Sequence, residues 1–235
     1  MSGLPLSRVA VVIPTWNEAG CIEAVVAEVL AQGAGEVVVA DGSSRDGTPD
    51  LARAAGATVI DAGRGYGRAC HLGAEVARVE CDVIAYMDGD GADRPDQLAM
   101  LCRPILDGTM DFTIASRTRG EREPGSMNWH QVLAGAMAGR LMGLLYGVRY
   151  TDMCALRVIR RDALAALGMT EMTYGWNIEM QMKAARQKLR IEEFPVPYRN
   201  RTAGQSKVAG SVKGTLWAGS KIIGTFMRVA ASKRG

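Results

Sequence analysis

Short apolar runs rich in Val and Ile alternate with helical patterns of apolar residues through the first half of the chain. A continuous run of about four to eight apolar residues is typical of a buried strand, and apolar residues at i, i+3 and i+4 indicate a helix. These patterns predict strands at residues 9–14, 36–41, 57–62 and 82–88, and helices at 18–32, from 46 onward and at 67–79. Such strands joined by crossover helices predict an α/β fold with a mostly parallel sheet flanked by helices.

The second half of the chain continues with the same two patterns. Helices are predicted at residues 96–106, 131–148 and 176–188, strands at 111–116 and 155–159, and an extended segment at 190–198. A polar stretch with Gly and Pro at 118–129 is typical of a loop. Because the chain has no internal repeat and no low-complexity linker, we expect one domain over residues 1–207, followed by a C-terminal amphipathic helix over 208–235.

The predicted C-terminal helix is basic. Residues 194–235 hold eight Lys or Arg residues and no acidic ones, whereas the rest of the chain has 20 basic and 25 acidic residues. Lys213, Lys221 and Arg228 lie on one side of the helix, near Trp217. The apolar side comprises Val208, Val212, Leu216, Ile223, Phe226 and Ala230. Such a helix lies at an anionic bilayer surface or packs on the domain, and the sequence leaves both alternatives open.

Composition is that of an ordinary globular domain, with 48% hydrophobic and 23% charged residues. Five scattered cysteines without a CxxC pair favour reduced thiols in the cytoplasm over a disulfide framework or a zinc site. The amino terminus lacks the pattern of a signal peptide, and no apolar run reaches the ~18 residues of a spanning helix. We expect a cytoplasmic protein, with peripheral contact to the membrane left open, and no nucleic-acid partner.

Four glycines spaced by four residues mark the helix predicted at 131–148: Gly135, Gly139, Gly143 and Gly147. Such a seam allows another element to approach the helix closely. Arg140 in the same helix argues against full insertion into a membrane. We therefore expect tight packing of this seam, either in the core or between two copies of the chain.

Four aspartates lie within nine residues of AYMDGDGADRPDQ, directly after a predicted strand: Asp88, Asp90, Asp93 and Asp96. Clustered carboxylates repel one another and are costly to bury unless a cation joins them. An EF-hand is excluded, because Ala, Asp and Ala stand where that loop requires a ligand, Gly and Glu. A helix cap and a solvated turn fit Asp93 and Asp96. Asp88 and Asp90 form a D-x-D pair suited to Mg²⁺ or Mn²⁺ shared with substrate phosphates.

The loops after the first two strands carry polar residues that would lie side by side at one edge of a parallel sheet. The first strand ends in PTWNEAG and the second in DGSSRDGT. Ligands of such sheets bind beyond the carboxyl ends of the strands. We expect Asn17, Glu18, Asp41 and Ser43 to shape a nucleotide pocket there, although Gly and Ser also suit any strand-to-helix turn.

These motifs together resemble the family 2 glycosyltransferases of the GT-A fold. The resemblance rests on PTWNE, DGSSRDGT, the D-x-D pair, GYGRACHLG, IASRTRG and YRNRTAGQSKV, in the family's order. The last of these is similar to a segment of the dolichol-phosphate mannosyltransferase branch. The motifs extend from about residue 9 to residue 208, which is most of the chain.

The resemblance implies a metal-dependent, inverting transfer of a sugar from a nucleotide-diphospho-sugar. Pro14, Thr15, Glu18 and Asp41 would hold the nucleoside, and the glycine-rich segment that begins at Gly65 would border it. Asp88 and Asp90 would hold Mg²⁺ or Mn²⁺ on the diphosphate. Arg117 would meet an anionic acceptor. Three residues of the C-terminal segment would close over the phosphates: Arg201, Ser206 and Lys207.

The resemblance also implies an acceptor, most simply a polyprenyl phosphate, which is already an anion and needs no strong base. A soluble or glycan hydroxyl acceptor would need a carboxylate as base, and Glu179 is the candidate. The alternative for Glu179 is a structural position at the start of a helix. A non-catalytic nucleotide-sugar binding module also remains open.

Two positions depart from the family pattern. Relatives often carry a Gln after the D-x-D pair, where this chain has Ala92, and a Lys in the glycine-rich segment, where it has Tyr66. Asp93 is a candidate to replace the missing metal ligand.

Overall fold

A computed structural model describes residues 6–203 and 212–232 of the chain, the second range with side chains from Ala218 onward. In this part of the chain one sheet of seven strands is flanked by helices, in the order β3-β2-β1-β4-β6-β5-β7. The strands are β1 (Val9–Thr15), β2 (Glu36–Asp41), β3 (Thr58–Asp61), β4 (Val83–Tyr86), β5 (Phe112–Ser116), β6 (Arg157–Arg160) and β7 (Ile191–Pro195).

The flanking helices lie close to the predicted positions, except α6, which was not predicted. They are α1 (Ile22–Ala31), α2 (Thr48–Ala54), α3 (Tyr66–Val76), α4 (Leu98–Leu106), α5 (Trp129–Tyr146), α6 (Arg161–Leu167), α7 (Trp176–Arg186) and α8 (Val212–Ala231). Short 3₁₀ turns precede β1 and α4, at Leu6–Arg8 and Pro95–Gln97. The predicted mostly parallel α/β fold is thus confirmed.

Strand β1 is an interior strand of the sheet and pairs in parallel with both β2 and β4. Its residues from Val9 to Ile13 are fully buried, as expected for a continuous apolar strand covered on two faces. The carboxyl ends of β1, β2 and β4 therefore meet at one edge of the sheet. The loops that follow these strands lie at the edge where ligands of such sheets usually bind.

Strand β6 is antiparallel to both of its neighbours, β4 and β5, whereas β7 is parallel to β5. Arg157, at the amino end of β6, pairs with Tyr86 at the carboxyl end of β4. Because of this reversal, the residues that precede β6 arrive at the same edge as the loops after β1 and β4. The sequence pattern did not predict the reversed direction of β6.

The glycine seam of α5 packs against the chain's own segment before β6. A Cβ atom on Gly139 would overlap the carbonyl oxygen of Tyr150, and one on Gly143 would lie 3.5 Å from the Arg149 side chain. Only a helix without side chains on this face can approach the backbone so closely. The packing interpretation of the seam is confirmed, and the contact is within one chain.

Helix α8 packs on α7 through a face that differs in part from the predicted one. Ala218, Thr225 and Val229 are buried, and Ile222 is partly buried. Ile223, which we placed on the apolar contact face, is 66% exposed. Of the other residues predicted for this face, Phe226 is partly buried and Ala230 is exposed, and the side chains of Val208, Val212 and Leu216 lie outside the described residues. No helix within residues 6–203 and 212–232 is long and apolar enough to cross a membrane.

Candidate active site at the carboxyl edge of the sheet

A cavity of about 720 Å³ opens where the loops after β1, β3 and β4 meet the segments 125–131, 173–177 and 198–201. It brings together most of the residues singled out from sequence. Those that line it are Pro14, Thr15, Glu18, Gly65, Asp88, Asp90, Arg117 and Arg201.

Three residues predicted to touch the nucleoside do not line this cavity. The buried Asp41 accepts hydrogen bonds from Thr15 Oγ1 (3.1 Å) and from the backbone and hydroxyl of Ser44 (2.7 and 2.6 Å). Asn17 accepts one from the Arg45 amide (3.0 Å). Ser43 donates one to Asp61 (3.0 Å). These contacts tie the loops after β1, β2 and β3 together, so Asn17, Asp41 and Ser43 shape the rim, and their contact with a nucleoside stays a prediction.

The glycine-rich segment requires glycine at its first position. Gly65 adopts φ +132°, in the region that disfavours side chains, and a Cβ there would lie 2.6 Å from the Met172 carbonyl oxygen. This close approach sets the start of α3 against the segment before α7, whose Thr173 and Tyr174 also line the cavity. Gly65 therefore joins two walls of the site.

The D-x-D pair follows β4 on a tightly bonded loop. Asp90 is buried, and its Oδ1 accepts the Ala92 amide at 2.8 Å. Asp93 is also buried, and its Oδ2 accepts the Asp88 amide at 3.0 Å. Burial raises the pKa of Asp88, and the neighbouring carboxylates of Asp90 and Asp93 raise it further. The loop therefore gathers negative charge that a cation would relieve.

The geometry corrects one expectation for Asp93 and disfavours another. It is not part of a solvated turn, because it is 4% exposed. It does not line the cavity, and its carboxylate supports the backbone of Asp88. This placement disfavours Asp93 as a replacement for the missing ligand at Ala92. Asp96, by contrast, is exposed and pairs with Arg94, as a solvated turn requires.

The carboxylates of Asp88 and Asp90 fit a divalent cation whose remaining ligands come from a bound substrate. In the described ranges no group of three or more His, Cys, Asp or Glu residues is placed to hold a metal. Asp88 and Asp90 both face the cavity, however. Two carboxylates completed by phosphate oxygens are the usual protein site of Mg²⁺, and Mn²⁺ accepts the same hard oxygen ligands.

Arg201 returns from the C-terminal side of the domain to this pair. Its Nη2 lies 2.8 Å from Asp90 Oδ2, and its Nη1 lies 3.5 Å from Glu18 Oε1. The amide of Thr202 donates to the Asp90 carbonyl oxygen at 3.3 Å, which fixes the segment in place. Ser206 and Lys207, predicted to act with Arg201, lie outside the described residues.

Arg117 is held at the cavity wall by a residue that the sequence analysis missed. Its Nε and Nη2 donate to the two carboxylate oxygens of Asp152, at 2.7 and 2.8 Å. The Tyr198 ring lies 5.0 Å from the guanidinium carbon. Asp152 belongs to no motif, and it reaches Arg117 only because β6 is antiparallel. The guanidinium is thus oriented before any ligand arrives.

A second missed pair lies on the cavity wall formed by the loops after β1 and β3. The Arg64 guanidinium carbon lies 3.3 Å from the centre of the Trp16 ring, and both residues line the cavity. We expected the glycine-rich segment to lack its usual cation because Tyr66 replaces a Lys. Arg64, two residues earlier, brings a cation to the same wall. An Arg between two glycines after β3 is a signal that the sequence did contain.

Glu179 lies outside the cavity on α7 and is fully buried. Its carboxylate accepts hydrogen bonds from the amides of Thr170 (3.0 Å) and Glu171 (2.7 Å), and Lys183 Nζ lies 3.1 Å away. Burial alone would raise its pKa, but the bonds from Thr170, Glu171 and Lys183 outweigh burial and lower it. This geometry favours the structural alternative for Glu179 over a role as base.

Replacing Glu179 with Gln is expected to lower the free energy of unfolding by about 1–3 kcal/mol, since buried donors lose a charged acceptor. Because the folded-state pKa lies below the ordinary 4.5, the carboxylate stabilises the fold above pH 4.5. That stabilisation disappears as the pH falls through the lowered pKa, so the two proteins converge in acid. Urea unfolding across this range measures the difference, with the exposed Glu80→Gln as control. A loss of transfer rate without loss of stability would restore Glu179 as a base.

A mostly parallel sheet with a D-x-D pair and basic side chains at its carboxyl edge defines a GT-A-type nucleotide-sugar transferase. The family model described as "Glycosyl transferase family 2" matches residues 10–168, and the chain belongs to that family. The predicted family and enzyme class are thereby confirmed.

Relatives of known name extend the comparison. The chain is 37% identical over 200 residues to the low-salt glycan biosynthesis hexosyltransferase Agl6 of Haloferax volcanii, covering 82% of this chain and 48% of Agl6. It therefore spans about half the length of that relative. It is 33% identical over 241 residues to a dolichyl-phosphate hexose transferase of the same organism, covering 100% of this chain and 99% of that protein.

A solved structure shares the fold. Glucosyl-3-phosphoglycerate synthase from Mycobacterium tuberculosis, in complex with Mn²⁺, UDP-glucose and phosphoglyceric acid, superposes with a TM-score of 0.76 at 19% identity. The match covers 97% of this chain and 81% of that chain. At this identity the likeness supports the GT-A fold alone.

Proposed function

We propose that the protein transfers a sugar from a nucleotide-diphospho-sugar to a polyprenyl phosphate, with Mg²⁺ or Mn²⁺, at the cytoplasmic face of a membrane. The observation that carries this proposal is the shared cavity. It places the carboxylates of Asp88 and Asp90 together with the guanidinium groups of Arg117 and Arg201. A site with both charges suits a metal–diphosphate donor and an anionic acceptor.

The reaction is a single displacement at the sugar. A phosphate oxygen of the acceptor attacks C1 from the face opposite the donor diphosphate, and the C1–oxygen bond to the diphosphate breaks. The nucleoside diphosphate leaves with the bonding electrons, and the configuration at C1 inverts. A bound Mg²⁺ or Mn²⁺ would supply neutralisation of the charge that develops on the leaving diphosphate.

Two arginine side chains of the protein have separate roles in binding the two phosphate groups. Arg117, oriented by Asp152, holds the acceptor phosphate at the wall of the cavity. Arg201 pairs with Asp90 and Glu18 and is close enough to exchange these partners for the diphosphate when the donor binds. No proton has to be removed from an acceptor that is already an anion. The displacement therefore proceeds without a general base.

The position of Glu179 supports a phosphate acceptor over a hydroxyl acceptor. A hydroxyl nucleophile needs a base within hydrogen-bond reach, and the candidate carboxylate is buried outside the cavity. The resemblance over the full chain to a dolichyl-phosphate hexose transferase supports the same choice.

The test is transfer from radiolabelled UDP- and GDP-sugars to farnesyl phosphate in detergent, with farnesol as the matched acceptor that lacks the phosphate. We expect labelled lipid with farnesyl phosphate only, and loss of product when EDTA removes the metal. Transfer to farnesol at a similar rate would overturn the phosphate acceptor. Transfer that persists in EDTA would overturn the proposed metal dependence. Binding of a donor without any transfer would favour the non-catalytic alternative.

A further inference from the structure

Helix α5 is apolar on both of its sides. Its glycine seam faces the domain, and its large apolar side chains face solvent. The exposed ones follow one another at helical spacing: Trp129, Leu133, Met137, Leu141, Leu144 and Leu145. Trp129 is 76% exposed and Leu144 is 85% exposed. A surface helix normally shows the reverse arrangement, with polar residues outward. We call these six side chains the outer face of α5.

A contiguous exposed apolar surface of this kind marks a site of interaction. The outer face extends from Trp129 to Leu145, a rise of about 24 Å at 1.5 Å per residue. Isolated exposed apolar residues, such as Val79, need no such explanation. Six outward Trp, Leu and Met side chains on one helix do need one.

The charged residues of α5 and α8 themselves are all basic. Arg140, exposed on α5, is the one charged residue of that helix, and α8 carries Lys and Arg but no Asp or Glu. Helix α8 also exposes Ile223 and Met227. Apolar side chains beside basic ones suit an anionic lipid surface, where Trp lies at the level of the headgroups. A long Arg side chain reaches those headgroups from within an apolar stripe.

The same two helices border the cavity. Asn128 and Gln131, at the start of α5, line it, as do Ala218 and Ile222 of α8. Trp129 stands between the two lining residues of α5. A surface that bound α5 and α8 would therefore meet the mouth of the cavity.

We propose that the outer face of α5, with the exposed residues of α8, docks the enzyme on an anionic bilayer so that the cavity opens at the lipid surface. This inference rests on the proposed function for its purpose, which is access to a lipid-bound phosphate. We name a membrane and not a second copy of the chain, because a two-fold contact through this face would bury Arg140 of both copies, and neither α5 nor α8 carries an acidic residue to pair with it. Anionic lipid attracts the basic residues of both helices.

The test is cosedimentation of the full chain with lipid vesicles. We use vesicles of phosphatidylcholine alone and vesicles with roughly a third phosphatidylglycerol, a composition that gives a negative surface. The variant Leu133→Gln/Leu144→Gln replaces two outward side chains, and Val79→Gln is the control at a residue away from α5 that is about as exposed as Leu144. We expect binding only to the anionic vesicles, at least about tenfold weaker for the double variant and unchanged for the control.

Two further measurements separate this inference from the proposed function. Transfer to a water-soluble short-chain prenyl phosphate should be equal in the wild type and the double variant, since neither substituted residue lines the cavity. Vesicle binding is measured without any substrate, so it stands even if transfer fails. Equal vesicle binding by the double variant and the wild type would overturn the proposal. So would sedimentation velocity showing that the outer face holds a dimer and that the dimer does not bind vesicles.

Discussion

Replacing Asp90 with Asn is expected to lower the rate of sugar transfer by about 10²–10³-fold, the usual cost of removing one group that stabilises charge at a reacting centre. Asn keeps an oxygen for the Ala92 amide, which donates to Asp90 Oδ1 at 2.8 Å. The loop should therefore keep its shape. What is lost is the negative charge shared with Asp88 and with the Arg201 guanidinium, 2.8 Å from Asp90.

The measurement is kcat for transfer to farnesyl phosphate over a range of Mn²⁺ concentrations. The control is Asp96→Asn, in the same acidic stretch but exposed and paired with Arg94 outside the cavity. Asp96→Asn should leave kcat unchanged. If Asp90→Asn retained wild-type activity at low Mn²⁺, the D-x-D pair would not be the metal site.

A separate test shows whether Mn²⁺ binds at the D-x-D pair together with a nucleoside diphosphate, without any transfer. Ligands of the native state raise its melting temperature by mass action. Mn²⁺ with a nucleoside diphosphate should raise the melting temperature of the wild type and of Asp96→Asn, and not that of Asp90→Asn. An equal rise in all three proteins would place the cation elsewhere.

Replacing Gly139 with Ala is expected to destabilise the fold by about 1–3 kcal/mol, the cost of an added methyl group in a tightly packed contact. The new Cβ would overlap the carbonyl oxygen of Tyr150, and a backbone atom cannot turn aside as a flexible side chain does. Relief requires α5 to move away from the segment before β6. That segment carries Asp152, which orients Arg117, so transfer should fall together with stability.

The matched control is Gly224→Ala in α8, where an added Cβ meets nothing within 4 Å. There the ordinary helix preference for Ala should stabilise the protein by about 0.5–1 kcal/mol. Urea unfolding of the three proteins gives the comparison. If Gly139→Ala were as stable as Gly224→Ala, the glycine seam would not be a packing contact.

The repeating apolar pattern was sufficient to determine the sheet and most helices. Residues Val9 to Ile13 form a run that only a doubly covered strand explains, and they are fully buried in β1. The D-x-D pair was also evident, because carboxylates directly after a buried strand reach the ligand edge of a parallel sheet. These features depend on residues close together in the chain, so the local sequence pattern is enough to predict them.

The partners of the site residues were decided by the tertiary structure. Asp152 is 35 positions from Arg117 and lies next to it only because β6 reverses direction. Arg201 is 183 positions from Glu18 and meets it across the cavity. Glu179 carried a carboxylate that the sequence could assign to either chemistry or structure, and the fold placed it in the core. The periodicity of apolar residues does not specify which distant segments of the chain meet, since many pairings of those segments bury the same apolar residues.

Helix α5 also shows which features the sequence determined and which the tertiary structure decided. The spacing of Gly135, Gly139 and Gly143 indicated from sequence that something approaches this helix closely. The sequence could not show that the chain itself fills that side, with Leu133 and Leu144 left outward. A helix that is apolar all round has no preferred face in its pattern. Its orientation was fixed by the close backbone contact that glycine alone permits, and that contact exists only in the folded protein.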